Sequence, residues 1–150
     1  MRGHSKAIFK SSLLNMLITV IALFYTLIMC WLLFHRGRYF GEGYNYNLVP
    51  LYTIKKYIIH YDHFNPDIWF KNLFGNIVLF IPIGIFLPLL NKKYLKVFRL
   101  TMVTIMLITA VELTQMLTRV GSFDIDDIIL NTFGALLGLL MTRLVVRRTL

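Results

Sequence analysis

Four long apolar stretches dominate this sequence and limit what the chain can fold into. With their approximate bounds they are residues 13–34, 66–90, 97–118 and 128–146. An α-helix of about 20 apolar residues crosses the ~30 Å hydrocarbon core of a bilayer. A chain of 150 residues, 57% of them hydrophobic, is too small to bury so much apolar surface in a water-soluble core. We therefore predict an all-α, polytopic membrane protein with four transmembrane helices, folded as a single domain over residues 1–150.

The distribution of basic residues predicts how these helices are oriented. If the N-terminus is cytoplasmic, the cytoplasmic segments contain ten lysines and arginines and the outer loops contain six. Such an excess marks the cytoplasmic side of a membrane protein. We expect a multi-pass protein of the cell membrane with both termini in the cytoplasm. The same bias accounts for the net charge of +9, so we do not expect nucleic-acid binding.

The long outer loop after the first span contains a further helical pattern. In "NLVPLYTIKKYIIHY" (47–61), Leu51, Ile54 and Ile58 recur at helical spacing. The pattern predicts a short amphipathic helix at the interface, resting on the outer leaflet, with a plain solvated loop as the alternative. Asn65 followed by Pro66 is typical of a helix start, so the second span is expected to begin near Pro66.

Polar side chains inside the apolar spans form a second pattern. Each of the last three helices contains several of them near its outer end: Asn72 and Asn76; Glu112, Gln115 and Arg119; Asp124, Asp127 and Asn131. A carboxylate at the depth of Glu112 costs about 2.5–3.5 kcal/mol unless it is paired, protonated or wet. We predict that Asn76, Glu112, Gln115, Asp127 and Asn131 line one cavity. The alternative is a hydrogen-bonded clamp between helices.

Two smaller features belong to the same region. Three of the seven acidic residues fall within "DIDD" (124–127), at the mouth of the last span, where Arg119 could pair with Asp124 or Asp127. Gly134 and Gly138 in "GALLG" predict close approach of a neighbouring helix.

Several stretches occur together in an order that is typical of one family. They are "NLVPL" (47–51), "NLFGNIVLFIPIG" (72–84), Glu112 with Gln115, and "DIDDIILNTFGALLG" (124–138). This order resembles the pattern of VanZ-like membrane proteins over about two-thirds of the chain. The matching polar and turn-forming positions are Asn76, Pro82, Gly84, Glu112, Gln115, Asp124, Asp127, Asn131 and Gly134. The resemblance implies an association with resistance to the glycopeptide antibiotic teicoplanin in Gram-positive bacteria, without implying a particular reaction.

The polar residues are compatible with three kinds of function. In the first, an outward-facing pocket binds the polar head of a membrane lipid, a lipid-linked cell-wall intermediate or a lipoglycopeptide antibiotic. Arg119 would take an anionic group, because guanidinium binds phosphate or carboxylate bidentately. The other expected ligand-binding residues are Asn72, Asn76, Gln115, Asp124 and Asn131.

In the second, the protein is a hydrolase or phosphatase acting on a cell-envelope lipid. Glu112 and Asp127 would then be the catalytic acid–base pair. No resident cofactor or metal is predicted, although a divalent cation on Glu112, Asp124 and Asp127 is conceivable, since oxygen ligands suit magnesium or calcium. In the third, the chain is a non-catalytic accessory subunit, and a homo-oligomer could form through Gly134 and Gly138.

Overall fold

Helices make up most of the computed structural model, which describes residues 8–9, 11–35, 43–63, 65 and 69–149. Within this part of the chain the α-helices are α1 (Ser12–Phe34), α2 (Tyr52–Ile59), α3 (Asn76–Leu90), α4 (Val97–Leu117) and α5 (Ile125–Thr149). A π-helical segment, Lys71–Gly75, leads into α3, and short 3₁₀ segments occupy Tyr61–His63 and Lys92–Leu95. Two strands of two residues each are β1 (Tyr46–Asn47) and β2 (Phe123–Asp124).

Four of the helical segments are long and apolar enough to cross a membrane. They are Ser12–Phe34, Lys71–Leu90, Val97–Leu117 and Ile125–Val146. The predicted all-α, four-span architecture is therefore confirmed. The predicted start of the second span at Pro66 lies outside the described residues.

The two ends of the bundle differ in structure. At one end, which we call the loop end (residues 43–63 and 118–124), β1 pairs in parallel with β2, Tyr46 opposite Phe123 and Asn47 opposite Asp124. At the other end, the N–H of Ile8 donates to the carbonyl of Leu89, and the guanidinium of Arg143 donates to the carbonyl of Leu95. The beginning of α1 and the last part of α5 therefore lie at the same end. Which end faces the cytoplasm stays a prediction.

Helices α3 and α5 pack backbone against backbone. A Cβ atom placed on Gly134 would lie 2.1 Å from the carbonyl oxygen of Ile77, and one on Gly138 would lie 2.0 Å from that of Ile81. Gly84 on α3 has the same role from the other side, since a Cβ atom placed on it would lie 1.9 Å from the carbonyl oxygen of Ala135. Only hydrogen side chains fit at these crossings. The close approach predicted from "GALLG" is confirmed, and the partner is α3.

The same interface compensates for a proline inside α3. Pro88 has no N–H, so the carbonyl of Gly84 lacks its usual donor one turn later. The hydroxyl of Thr142 on α5 lies 3.2 Å from that carbonyl oxygen and 3.0 Å from the carbonyl of Gly138. Because its single proton can serve the Gly84 carbonyl, α5 stabilises the α3 backbone where the proline interrupts it.

Helix α1 lies against the bundle more loosely than the other spans. Within α1 only Ile18 and Met29 are buried, and Met29 packs with Phe80 and Ile108 in a small apolar core. The hydroxyl of Tyr25 donates to the carbonyl of Leu79 on α3. Much of the remaining surface of α1 is therefore available to lipid.

The short helix expected in the first loop is α2, Tyr52–Ile59. Of the three apolar residues expected on its membrane-facing side, Ile54 is half-buried, whereas Leu51 and Ile58 are exposed. The side of α2 that faces the protein instead includes Thr53 and Tyr57, both half-buried. Contact of α2 with a membrane surface stays a prediction.

Candidate functional site

Polar side chains from several elements are buried at the loop end. Four of them are almost inaccessible: Asp126 is 0% exposed, Gln115 2%, Asn131 3% and Glu112 4%. Around them stand half-buried residues, and we call the whole set the polar cluster: Tyr57, Asn72, Asn76, Glu112, Gln115, Asp124, Asp126, Asp127 and Asn131. In a chain this apolar, such burial of polar groups requires partners for most of them.

Asp126, to which the sequence analysis assigned no role, caps helix α2. One carboxylate oxygen accepts a hydrogen bond from the N–H of Leu51 and the other accepts one from the N–H of Ile54, at 3.0 Å. Helix α2 needs this cap because Leu51, at its N-cap position, has no side-chain oxygen to offer. Leu51 also has a φ of 64°, a conformation uncommon outside glycine. A helix start without its own capping residue was the signal that a distant carboxylate serves it.

Asp124 ties the two loops together. Its carboxylate accepts hydrogen bonds from the amide of Asn47, at 3.2 Å, and from the hydroxyl of Thr53, at 2.6 Å. It also accepts the N–H of Asp126 at 2.9 Å, which caps the start of α5. The N–H of Asp124 in turn donates to Glu112 Oε2 at 3.0 Å. Both oxygens of Asp124 are thus engaged by the protein itself.

A chain of hydrogen bonds crosses from α5 through α3 to α2. The amide of Asn76 donates to Asp127 Oδ1 at 2.6 Å, and it lies 3.3 Å from the carbonyl of Asn72. The amide of Asn72 donates to the hydroxyl of Tyr57. Sequence reasoning missed Tyr57, because nothing in α2 indicated that its phenol points at the second span.

The phenol of Tyr57 is held in its neutral form. Burial raises the pKa of Tyr57 above its ordinary value of 10.0, and the nearby carboxylates of Asp127 and Asp124 raise it further. The hydrogen bond from Asn72 lowers that pKa, in partial opposition. Tyr57 is therefore an uncharged hydroxyl at neutral pH, able to donate as well as to accept.

Gln115 and Arg119, which lie near the end of α4, have different surroundings. Gln115 is buried, and its amide donates to the carbonyl of Leu33 on α1 at 2.7 Å. Arg119 is exposed, with its guanidinium 5.2 Å from the ring centroid of Tyr44. Arg119 forms no ion pair with a described carboxylate, so its expected pairing with Asp124 or Asp127 is not formed. Instead it occupies the left-handed backbone position, φ 59°, at which α4 ends.

Asn131 lies one turn beyond Asp127 on α5 and leaves one atom without a partner. Its Oδ1 is fully buried and receives no hydrogen bond. A buried acceptor without a donor costs roughly 1–3 kcal/mol. Asn131 is the member of the cluster with spare hydrogen-bonding capacity away from solvent.

Two cavities among the described residues lie outside the polar cluster. One, of about 440 Å³, lies between α1, α3 and α4, and its lining includes Phe80, Leu87 and Val111. Another, of about 490 Å³, lies against α2 and is lined by residues such as Lys55 and His60. The cluster lines neither of them, so a pocket formed by its members stays a prediction. In the part of the chain that the structure describes, no three aspartate, glutamate, histidine or cysteine side chains are grouped so as to hold a metal ion.

Comparison with known proteins identifies the family of this arrangement. The profile of the VanZ/LLP1 family matches residues 22–146, which include the four spans almost completely. The chain belongs to the VanZ/LLP1 family. It is 28% identical over 96 residues to Protein VanZ of Enterococcus faecium. That alignment covers 63% of this chain and 58% of the relative, so the chain matches less than two-thirds of that protein's length. No solved structure matches the chain.

The polar positions of the VanZ-like pattern lie at the loop end, whereas Pro82 and Gly84 lie further along α3. Asn76 contacts Asp127, and Glu112 contacts the backbone of Asp124. Gly134 lies at the crossing of α3 and α5, two turns from Asp127 on the same helix. Asn72 and Gln115 reach towards α2 and α1, respectively.

Proposed function

We propose that this VanZ/LLP1-family protein binds the polar head of a lipid-linked or lipid-inserting ligand at the polar cluster. The loop end would face the cell exterior, as the basic-residue bias predicts. By its family, the protein would act in tolerance of glycopeptide antibiotics such as teicoplanin. Ligands of this kind present a polar head on an acyl or prenyl anchor at the membrane surface.

The observation that carries the proposal is the unpartnered oxygen of Asn131. The neighbouring carboxylates and amides have donors or acceptors within the protein, whereas Asn131 Oδ1 is buried without a donor. A hydroxyl, amide or ammonium group of a ligand head would supply that donor. The energy of the new hydrogen bond would then favour the bound state, because the free protein carries the cost of the unpaired atom.

The position of Arg119 favours a ligand whose polar head carries an anionic group. It is exposed at the rim of the loop end, and it makes no salt bridge within the described residues. A guanidinium can bind one phosphate or carboxylate through two parallel hydrogen bonds. The Tyr44 ring beneath it limits the orientations of the guanidinium and so prepares it for such a contact.

The test replaces carboxylates by amides of the same size. Glu112→Gln and Asp127→Asn each keep an oxygen that can accept the hydrogen bond seen here, from the N–H of Asp124 and the amide of Asn76. If the cluster serves a ligand, both variants should express and melt like the parent protein yet lose the increase in teicoplanin tolerance. Minimum inhibitory concentrations and melting curves in detergent measure the two effects. Parallel losses of stability and tolerance would reject the proposal in favour of a structural clamp.

The nearness of the Asp127 and Asp124 carboxylates to the neutral phenol of Tyr57 favours one alternative, a hydrolase acting on an envelope lipid. Glu112 and Asp127 would exchange protons with substrate and water, and Tyr57 would donate to a developing negative charge. Release of inorganic phosphate or of a cleaved head group from lipid vesicles by purified protein distinguishes this enzyme from a binding protein.

A further inference from the structure

We propose that the 440 Å³ cavity between α1, α3 and α4 binds the hydrocarbon chain of the ligand whose head occupies the polar cluster. This inference rests on the proposed function. The occupant would be the single acyl or prenyl chain of a membrane-inserted amphiphile. The volume lies within the roughly 300–1,000 Å³ typical of small-molecule sites.

The wall of this cavity is almost wholly apolar and offers no free hydroxyl proton to a ligand or to water. Three hydroxyls line it, and each already donates to a backbone carbonyl: Thr19 to Asn15 at 2.8 Å, Thr26 to Ala22 at 2.8 Å, and Tyr25 to Leu79. The rest of the lining is apolar apart from the weakly polar thiol of Cys30. Water is held in place within a protein only where it finds two to four polar partners. Hydrocarbon is the one chemistry that matches this wall.

On three helices the lining of the cavity lies close to residues of the polar cluster or to their contacts. On α3, Phe80 lines the cavity one turn from Asn76. On α4, Val111 lines it immediately before Glu112. On α1, Leu33 lines it and also accepts the hydrogen bond from Gln115. An amphiphile with its head at the cluster therefore has a chain-sized space beneath the head.

The loose attachment of α1 provides a route of entry. Much of α1 is exposed to the surrounding lipid, and its polar ties to the other spans include the Tyr25 and Gln115 hydrogen bonds. A chain can therefore enter sideways from the bilayer, between α1 and α3, without crossing the polar cluster.

The single cysteine of the chain allows a direct test, because Cys30 lines the cavity and is also exposed to reagent. The full-length protein in phosphatidylcholine vesicles is treated with a membrane-permeant maleimide, and the alkylation rate of Cys30 is measured with and without amphiphile. The two probes are teicoplanin, against its deacylated form, and palmitoyl-lysophosphatidylglycerol, against glycerol phosphate. We expect one or both amphiphiles to slow alkylation at least several-fold, and the chainless forms to have no effect. The probe that protects Cys30 identifies the antibiotic or the membrane lipid as the source of the chain.

A matched control cysteine separates the cavity from general lipid effects. Leu27 is exposed on α1 and does not line the cavity. In a Cys30→Ser background, Leu27→Cys should be alkylated at the same rate with and without amphiphile. Equal protection at both positions, or protection at neither, overturns the inference.

A second pair of variants fills the cavity instead of probing it. Ala22→Phe places a ring in the cavity, whereas Ile21→Phe places one on the neighbouring exposed surface of α1. Binding of the protective amphiphile should fall at least tenfold in Ala22→Phe and stay within twofold in Ile21→Phe. Equal affinities in the two variants overturn the chain site.

The Asp127→Asn variant distinguishes failure of this inference from failure of the proposed function. If Asp127→Asn abolishes binding of an amphiphile that never protects Cys30, the head site stands and the chain site is wrong. If Cys30 is protected equally in the parent protein and in Asp127→Asn, the cavity holds lipid chains independently of the cluster. That result overturns the link between head and chain and counts against the head site as well.

Discussion

At the scale of single residues, the acidic side chains at the mouth of α5 have separate tasks. Asp126 caps α2, while Asp124 caps α5 and binds the first loop through Asn47 and Thr53. Asp127 binds Asn76 on α3 and belongs to the hydrogen-bond chain that reaches Tyr57. The three carboxylates within four positions thus bind different groups: Asp126 and Asp124 bind the first loop and α2, and Asp127 binds α3.

Adjacent residues allow the structural and ligand roles to be compared. In Asp126→Asn, one of the two backbone N–H groups meets an amide NH₂ instead of an oxygen. We expect the free energy of unfolding to fall by about 1–3 kcal/mol. Asp127→Asn keeps an acceptor for Asn76, so its stability should stay within about 0.5 kcal/mol of the parent. Equilibrium unfolding in mixed micelles measures both, and a larger loss in Asp127→Asn than in Asp126→Asn would contradict this division of roles.

The raised pKa of Tyr57 predicts a pH dependence of stability. The folded state holds the phenol proton more tightly than the unfolded state does. Stability should therefore decrease as pH rises above about 10, through the interval between the unfolded and folded pKa values. Tyr57→Phe should lack this part of the decrease. The exposed Tyr52→Phe is the control, and its melting temperature should follow the parent protein from pH 8 to pH 11; identical profiles for both variants would show that Tyr57 does not contribute.

At the scale of secondary-structure elements, glycine residues allow the backbones of α3 and α5 to approach each other closely where the two helices cross. Gly84, Gly134 and Gly138 remove side chains where two backbones meet, and Thr142 satisfies a carbonyl released by Pro88. The interface therefore depends on small residues rather than on large apolar ones. This is the usual solution where lipid is as apolar as the side chains.

Alanine at the crossing should be costly. In Gly138→Ala the new methyl group would overlap the carbonyl of Ile81, so the helices must separate. We expect a loss of about 1–3 kcal/mol, as in other overpacked interiors. Gly75→Ala is the matched control, because its nearest atom would be the Cβ of Lys71 at 4.0 Å. That variant should be neutral or slightly stabilising in thermal melts, and equal losses in both would exclude the overlap as the cause.

The elements differ in how far the sequence alone could predict them. The four spans follow from length and hydropathy, and the glycine crossing follows from the spacing of Gly134 and Gly138. The cap on α2 could not be predicted with the same rules, since Leu51 and Asp126 are 75 residues apart. Helical periodicity places side chains on a face but does not identify the element opposite. For the same reason Glu112, Gln115 and Asn131 were expected in the cluster, whereas the contribution of Tyr57 was missed.

At the scale of the whole molecule, both connections at the loop end are joined into one layer. The parallel pairing of β1 with β2 connects the loop after α1 to the loop before α5, and α2 is fixed beside them by Asp126. The opposite end has one short connection between spans, residues 91–96, with exposed lysines such as Lys93. The two surfaces of the bundle are therefore chemically distinct, as expected if only one of them meets the cell exterior.

Site-directed labelling tests this orientation. In a Cys30→Ser background, Tyr46→Cys at the loop end should react with a membrane-impermeant maleimide added to intact cells. Lys93→Cys should react only after permeabilisation, because the basic connection is predicted to be cytoplasmic. Both positions are exposed, so access to each depends on the membrane alone. Reaction of Lys93→Cys in intact cells would reverse the assignment.

The cap that Asp126 places on α2 also sets an order of events during synthesis. The N–H groups of Leu51 and Ile54 leave the ribosome well before the carboxylate that receives them, which follows Leu51 by 75 residues. At about 5–20 residues per second, α2 waits roughly 4–15 s for its cap. A chain that stops before the last span would present an uncapped and unpaired first loop to membrane proteases. We therefore expect the first loop to become resistant to protease only after Asp126 has been synthesised and reaches α2.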